Sequence, residues 1–259
     1  MGLLELIRNI VTNYKKVDTK KLPSQGYFYP KDFQIRLKKA SDEDIIDYEV
    51  NYNRENILEV IESVKNIVEK NTVFNSKYCF EDLKSVDILY LFLEIVKYTK
   101  NKKIFIEFYN ETQAKKDRIE FSSENYNYFD LSKFDTLYSS DTLDFLVNSY
   151  RFSMPSIGVE NSLTQYLLQL VDEPDTDKYN DYSYDFLFFL GFKRILSVEE
   201  IENLITIFNF EMENEEREKL KSTIEEFMEI ILYTLKSGNN VIEVKSKLDL
   251  ESIWKVDED

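Results

Sequence analysis

The reactive side chains of this 259-residue chain are almost all carboxylates: 49 Asp and Glu stand against no histidine and one cysteine, Cys79. Without histidine, the commonest general acid–base is missing, along with Ser-His-Asp and Cys-His nucleophilic arrangements and most catalytic zinc sites. One thiol excludes an intrachain disulfide, a CxxC redox pair and a multi-thiolate metal site, and it points to a reducing compartment. The glycines, Gly2, Gly26, Gly158, Gly191 and Gly238, are too far apart for a dinucleotide fingerprint or a phosphate-binding loop. Carboxylates alone can hydrolyse glycosides as a pair or bind calcium. No Asp or Glu pair sits in an obviously apolar setting. Asp175, Asp177 and Asp181 have calcium-loop spacing, but Asn180 replaces the required glycine and Phe186 the closing glutamate. The sequence therefore predicts no enzyme, no cofactor and no metal site. It predicts a solvated acidic loop at 172–185, and Cys79 as a small apolar core residue.

The formal net charge of −16 argues against a nucleic-acid partner, because phosphates need a basic face. The charge is unevenly spread. Residues 1–40 hold nine Lys and Arg against three Asp and Glu, and the rest holds 24 against 46. A basic leading segment either lies on its own acidic body or docks on an acidic neighbour. No run of 18 apolar residues is present, so no membrane span is expected, and Glu5 inside "MGLLELIRNIV" makes a poor signal peptide. Abundant Asn, Lys, Ile, Tyr and Phe with scarce Ala, Gly and Pro suggest a low-GC genome.

The elements follow from periodicity. Leu3, Leu4, Ile7, Ile10, Val11 and Tyr14 predict an amphipathic helix over 3–16, with Lys15 and Lys16 at its C-terminal end. The stretch "KKLPSQGYFYPKDFQIRLKKASDEDI" (20–45) then gathers two of the four prolines and Gly26. Pro23 and Pro30 hold Leu22 and Tyr29 extended, and Gly26 permits a turn. Phe33, Ile35 and Leu37 alternate as in a strand, and Ser41 fits a helix N-cap. Helices are expected over 54–70, 81–100, 160–171 and 198–208, the last with a capping box from Ser197 and Glu200. A further helix is expected over 214–236, with Gly238 just past its end. "KKIFIEFYN" and "DRIEFS" predict a hairpin, 145–156 a strand leading to Pro155, and 241–245 a short strand; Trp254 lies near the acidic tail. "LPSQG" (22–26) is echoed by "MPSIG" (154–158). The expected fold is α+β, predominantly helical with short antiparallel strands and hairpins, in two subdomains. The divisions are a basic N-terminal helix and Pro/Gly arm (1–40), a helical subdomain with a β-hairpin (41–147), and a helical C-terminal subdomain (148–259).

Leu22, Pro23, Ser24, Gly26, Tyr29, Pro30, Ile35, Arg36, Asp42 and Glu43 carry a resemblance. The order Leu-Pro-Ser-x-Gly, then Tyr-Pro, a strand and an acidic helix start resembles the N-terminal signature of baseplate (hub) proteins of T-even-type contractile-tailed bacteriophages. The close match spans about 30 residues of the chain. The resemblance implies a structural component of a phage tail baseplate, at the hub or its attachment to the tube, assembled in the host cytoplasm and residing in the virion. It implies other tail and baseplate proteins as partners in a hetero-oligomeric assembly, and no catalytic residues.

On that reading the arm formed by Leu22, Pro23, Ser24, Gly26, Tyr27, Phe28, Tyr29, Pro30 and Arg36 binds the partner. Its prolines limit the entropy lost on ordering, and its aromatics supply contact area. The same features could brace the domain internally. If the arm only docks, a chain lacking residues 1–30 keeps its fold. The alternatives are a hub assembly chaperone absent from the finished virion, an acidic DNA mimic motivated by net charge, and a carboxylate-only hydrolase.

Overall fold

Ile88, Leu91, Phe92, Ile95 and Val96 recur at helical spacing, and in the computed structural model they lie inside the central helix of the fold. The structure describes residues 14–53, 57–110, 115–122, 124–125, 138–141, 143–147, 150–170, 197–230, 234–237 and 240–243. The architecture is α+β: helices with small antiparallel sheets. Among the described residues, no helix is long and apolar enough to cross a membrane.

The first helix pair is α1 (Asp42–Asn53) and α2 (Ile57–Asn71), followed by α3 (Ile88–Lys100). Tyr90, Leu91, Phe92 and Leu93 are consecutive and all buried, so α3 is enclosed nearly all round rather than along one stripe. It ends at Asn101, whose left-handed φ of 52° suits a C-cap; the Asn101 N–H donates to the Lys97 carbonyl. At the start of α1, Ser41 Oγ accepts from the Asp44 N–H at 3.2 Å while the Asp44 carboxylate accepts from the Ser41 N–H at 3.1 Å. This is a capping box with Asp in the usual Glu position. Asp44 also accepts from Lys70 Nζ at 3.0 Å and Asn71 Nδ2 at 3.4 Å, which ties the start of α1 to the end of α2. Burial alone would raise the Asp44 pKa, but the hydrogen bonds from Lys70, Ser41 and Asn71 outweigh it and hold it at about 2.

A three-stranded antiparallel sheet, in order β1 (Lys15–Lys16), β2 (Ile35–Leu37) and β3 (Thr72–Phe74), covers this core. Ile35 and Leu37 point in and Arg36 points out, the alternation that strand geometry requires. Lys15 and Lys16 pair with Leu37 and Arg36, so they belong to a strand and not to the end of a helix. They bring no apolar side chain to a helical face, and pairing with β2 satisfies their backbone instead. The rest of the expected N-terminal helix lies outside the described residues.

The predicted hairpin is β4 (Phe105–Asn110) with β5 (Lys115–Glu120), in register from Phe105↔Glu120 to Asn110↔Lys115. Ile104, Ile119 and Phe121 join the same core as α3. Next comes a meander of β6 (Tyr138–Ser139), β7 (Asp144–Val147) and β8 (Tyr150–Phe152). The single strand expected at 145–156 is thus two antiparallel strands, with Phe145 opposite Phe152 and Val147 opposite Tyr150. This pair spans residue 147, where the sequence suggests a division.

The second half contributes α4 (Ile157–Leu170), α5 (Val198–Thr206), a π-helical turn (Ile207–Glu211) and α6 (Asn214–Ile230). The predicted capping box forms: Ser197 Oγ accepts from the Glu200 N–H at 3.2 Å and the Glu200 carboxylate from the Ser197 N–H at 2.9 Å. The last helix is shorter than periodicity suggests. Thr234–Ser237 is a strand, β9, paired with β10 (Asn240–Glu243). No helix therefore runs to residue 236, and Gly238, expected just past its end, lies outside the described residues. The acidic loop 172–185, the apolar stretch 186–196 and Trp254 lie outside the described residues.

Phe92 is fully buried and meets Tyr48 of α1 at 5.3 Å between ring centroids. Phe92→Ala is expected to cost about 3–5 kcal/mol in urea unfolding. Ser41→Ala, which loses only a cap, should cost about 1 kcal/mol. Equal costs would contradict this placement of the core.

Candidate functional site

The two echoed pentapeptides, Leu22–Gly26 and Met154–Gly158, converge on one short segment, Leu83–Asp87. That segment follows one single 3-10 turn, Phe80–Asp82, and contains another, Ser85–Asp87, so α3 begins only at Ile88.

On the N-terminal side the chain makes successive turns. The Gln25 N–H donates to the Leu22 carbonyl at 2.8 Å and the Tyr27 N–H to the Ser24 carbonyl at 3.1 Å. Gln25 and Gly26 both adopt positive φ, 52° and 76°. The positive φ of Gly26 strains any other residue there, and an added Cβ would also press on Thr19 Oγ1 at 3.3 Å. These turns aim two donors at Asp87. The Ser24 N–H reaches Oδ1 at 2.8 Å, and the Tyr29 hydroxyl reaches Oδ2 at 2.7 Å. The same hydroxyl accepts from the Lys84 N–H at 2.9 Å.

On the C-terminal side, the Pro155 carbonyl accepts from the Ser85 N–H and hydroxyl, both at 3.2 Å. The Ile157 N–H donates to the Leu83 carbonyl at 2.8 Å. Lys84 Nζ donates to the Met154 carbonyl at 3.0 Å. Lys84 and Ser156 form an isolated antiparallel bridge. Ser156 then accepts from the Val159 N–H at 3.3 Å at the start of α4.

Asp87 is 0% exposed and Lys84 6%. Burial raises the Asp87 pKa to about 6, against the opposing pull of Ser24, Tyr29 and the Lys84 charge. Burial lowers Lys84 to about 8, with Asp87 and Asp82 pulling the other way. Tyr29 stays protonated far into the alkaline range, first through burial and then through the Asp87 charge. An acid and an amine with converging pKa values can exchange protons, which is why perturbed pairs draw notice as candidate sites. Here the donors already placed on Asp87 come from the protein itself, and the pair is enclosed. What the cluster does is fasten three distant stretches of chain together.

The arm residues predicted to bind a partner are placed unevenly. Leu22, Pro23, Ser24, Phe28 and Tyr29 are buried, Gly26, Tyr27 and Pro30 half-buried, and Arg36 exposed. Tyr29 stacks on Phe33 at 4.3 Å, and Phe33 meets Tyr78 edge-on at 4.9 Å. Tyr27 meets Tyr138 edge-on at 5.4 Å, and the Tyr138 hydroxyl donates to the Tyr27 carbonyl. A chain without residues 1–30 would lack the buried side chains of Leu22, Phe28 and Tyr29, which the arm supplies to the fold. Of the predicted set, Arg36 offers the most surface to a partner. Lys84 and Asp87 were missed because periodicity placed them inside one long helix, 81–100. The signal available was a lysine and an aspartate heading a helix that is otherwise almost wholly apolar. Cys79 is half-buried at a turn rather than in the core, and its thiol donates to Glu81 at 2.7 Å.

A second feature is a cavity of about 640 Å³ whose border carries both charges, Lys15, Lys16, Lys21, Lys97 and Lys103 beside Asp18, Glu94, Glu120 and Glu124. Lys15 pairs with Glu94, and Lys103 with Glu120 at 2.8 Å. Lys97 donates to the Phe121 carbonyl at 3.2 Å. Among the described residues, no group of three or more His, Cys, Asp or Glu could hold a metal ion. Comparison with protein-family models, curated proteins and solved structures returns no match.

The Lys84 environment has a measurable consequence. The unfolded chain keeps this proton to about its ordinary 10.5, whereas the folded chain releases it near 8. Unfolding therefore takes up a proton in that window, and stability rises with pH across it. Relative to Lys84→Met, the wild-type protein should gain up to about 3 kcal/mol between pH 8 and pH 10.5. Urea unfolding at several pH values tests this, and parallel stability curves for the two proteins would refute it.

Proposed function

We propose that this chain is a non-enzymatic structural component of a contractile-tail baseplate, at the hub or its attachment to the tube, residing in the virion and acting through contacts with other tail proteins. The observation that carries this reading is the use to which the resembling residues are put. Leu22, Pro23, Ser24 and Tyr29 are buried, Gly26 makes a left-handed turn, and Ser24 and Tyr29 both hold Asp87. A binding sequence would leave such residues on the surface. A signature built from them marks a shared fold, which is the sense in which a resemblance over so short a stretch carries weight.

The absence of histidine supports a role in assembly, because the side chains most used for turnover are missing. The division into two subdomains near residue 147 belongs to the same reading, with Leu83–Asp87 as the strap that both pentapeptides grip. Partner contact then falls to the exposed surface: Arg36, the mixed-charge cavity beside β1 and the acidic helices of the second half.

Mass spectrometry of purified particles from the genome that encodes this chain is the direct test. Detection at a fixed ratio to other tail proteins is expected. Presence in isolated baseplate intermediates but not in finished particles would make it an assembly chaperone, and absence from both would end the reading.

A further inference from the structure

Apolar side chains scattered singly over a surface need no explanation, but α1 carries two together. Ile46 is 56% exposed and Val50, one turn further on, 43%. Asp44 and Tyr48, two positions before and after Ile46, lie about 200° round the helix from it, and both are buried. The side of α1 turned away from the core is therefore apolar as well. Apolar residues on opposite sides are the pattern of a helix covered twice, not of a surface helix with one buried stripe.

The chain before β1 has the composition and the length of such a cover. Residues 1–13 hold seven apolar side chains and two charged ones, Glu5 and Arg8. Leu3, Leu4, Ile7, Ile10 and Val11 recur there at helical spacing. The sheet fixes the direction in which this segment leaves the fold. Lys15 faces Leu37 and Lys16 faces Arg36 in antiparallel register. Each step back along β1 is thus a step forward along the chain after β2, toward Ser41 and the start of α1. The 12 residues of α1 span about 18 Å, and thirteen helical residues about 20 Å. Charge selects among possible occupants. α1 carries Asp42, Glu43, Asp44, Asp47 and Glu49 and no basic side chain. The same face of a second copy would set carboxylates against carboxylates, whereas Glu5 and Arg8 leave residues 1–13 without net side-chain charge.

We propose that residues 3–11 of the same chain dock as a helix on the outer side of α1, antiparallel to it, with their apolar stripe over Ile46 and Val50. A helix of this length is marginal alone in water, so its order comes from the contact. The antiparallel arrangement sets the positive end of the segment's dipole beside the C-terminal end of α1, whose last turn has no basic side chain. It makes α1 a middle layer, with Tyr48 facing the core and Ile46 facing the segment. The contact concerns this chain alone and holds whether or not it belongs to a tail.

Two reciprocal measurements on the full chain test the proposal. In hydrogen exchange, the amides of residues 3–11 should be protected. Ile46→Ser with Val50→Ser should lower that protection by about tenfold or more while the amides of α3 keep theirs. Both substituted positions are exposed, which favours an intact fold. In a Cys79→Ser background, the thiol introduced by Val50→Cys should react slowly with iodoacetamide. Adding Leu4→Ser with Ile7→Ser should speed that reaction by about tenfold. Should the α1 variant lose protection in α3 as well, the thiol measurement decides. Neither effect should change with protein concentration, because the cover belongs to the same chain. Segment amides that are unprotected, or protected whatever stands at positions 46 and 50, would overturn the proposal. So would a thiol at position 50 that reacts fast from the start, leaving the face to a different protein, or one indifferent to the segment. Protection that disappears on dilution would overturn it too, by assigning the cover to a second copy.

Discussion

A carboxylate with no access to water must be met by donors, and meeting Asp87 organises this protein. Its two oxygens take the Ser24 N–H and the Tyr29 hydroxyl. An unsatisfied charge in that position would cost several kcal/mol, so the chain around residues 22–29 has little freedom. Successive turns through the left-handed pair Gln25–Gly26 bring those two donors to Asp87. Lys84, three residues away, extends the fastening to Met154. One strap thereby joins the N-terminal arm, the head of α3 and the start of α4.

Buried polar groups of this kind add little to stability compared with an apolar replacement of the same volume, because desolvation offsets most of their attraction. Leu22 and Leu83 could pack against many apolar surfaces, but Asp87 is satisfied in one arrangement. That accounts for two short echoed turns, far apart in sequence, meeting on the same five residues.

Much of this was legible in the residues. The alternation of Phe33, Ile35 and Leu37, the capping box at Ser197, the hairpin after Lys103 and the apolar face of α3 each follow from a period or a cap, and each is local. The errors were also local signals, outranked by others. Lys15 and Lys16 went to a helix end on charge, but backbone pairing with β2 claimed them. Helical periodicity runs on to residue 236, but Thr234–Ser237 pairs as a strand with Asn240–Glu243. The strap itself was illegible. Nothing near Lys84 or Asp87 in sequence announces partners some 60 and 70 residues away. Composition identified the Pro/Gly arm as special; which side of it faced the core depended on a carboxylate elsewhere in the chain.

The central claim is that the arm belongs to the same cooperative unit as α3. Native-state amide hydrogen exchange reads this directly at the Ser24 N–H. If Asp87 holds that group as described, it should exchange only through global unfolding, with the same free energy as the amides of Leu91 to Val96. Rapid exchange at Ser24 while α3 stays protected would show the arm to be a separate limb, and the account built on Asp87 would be wrong.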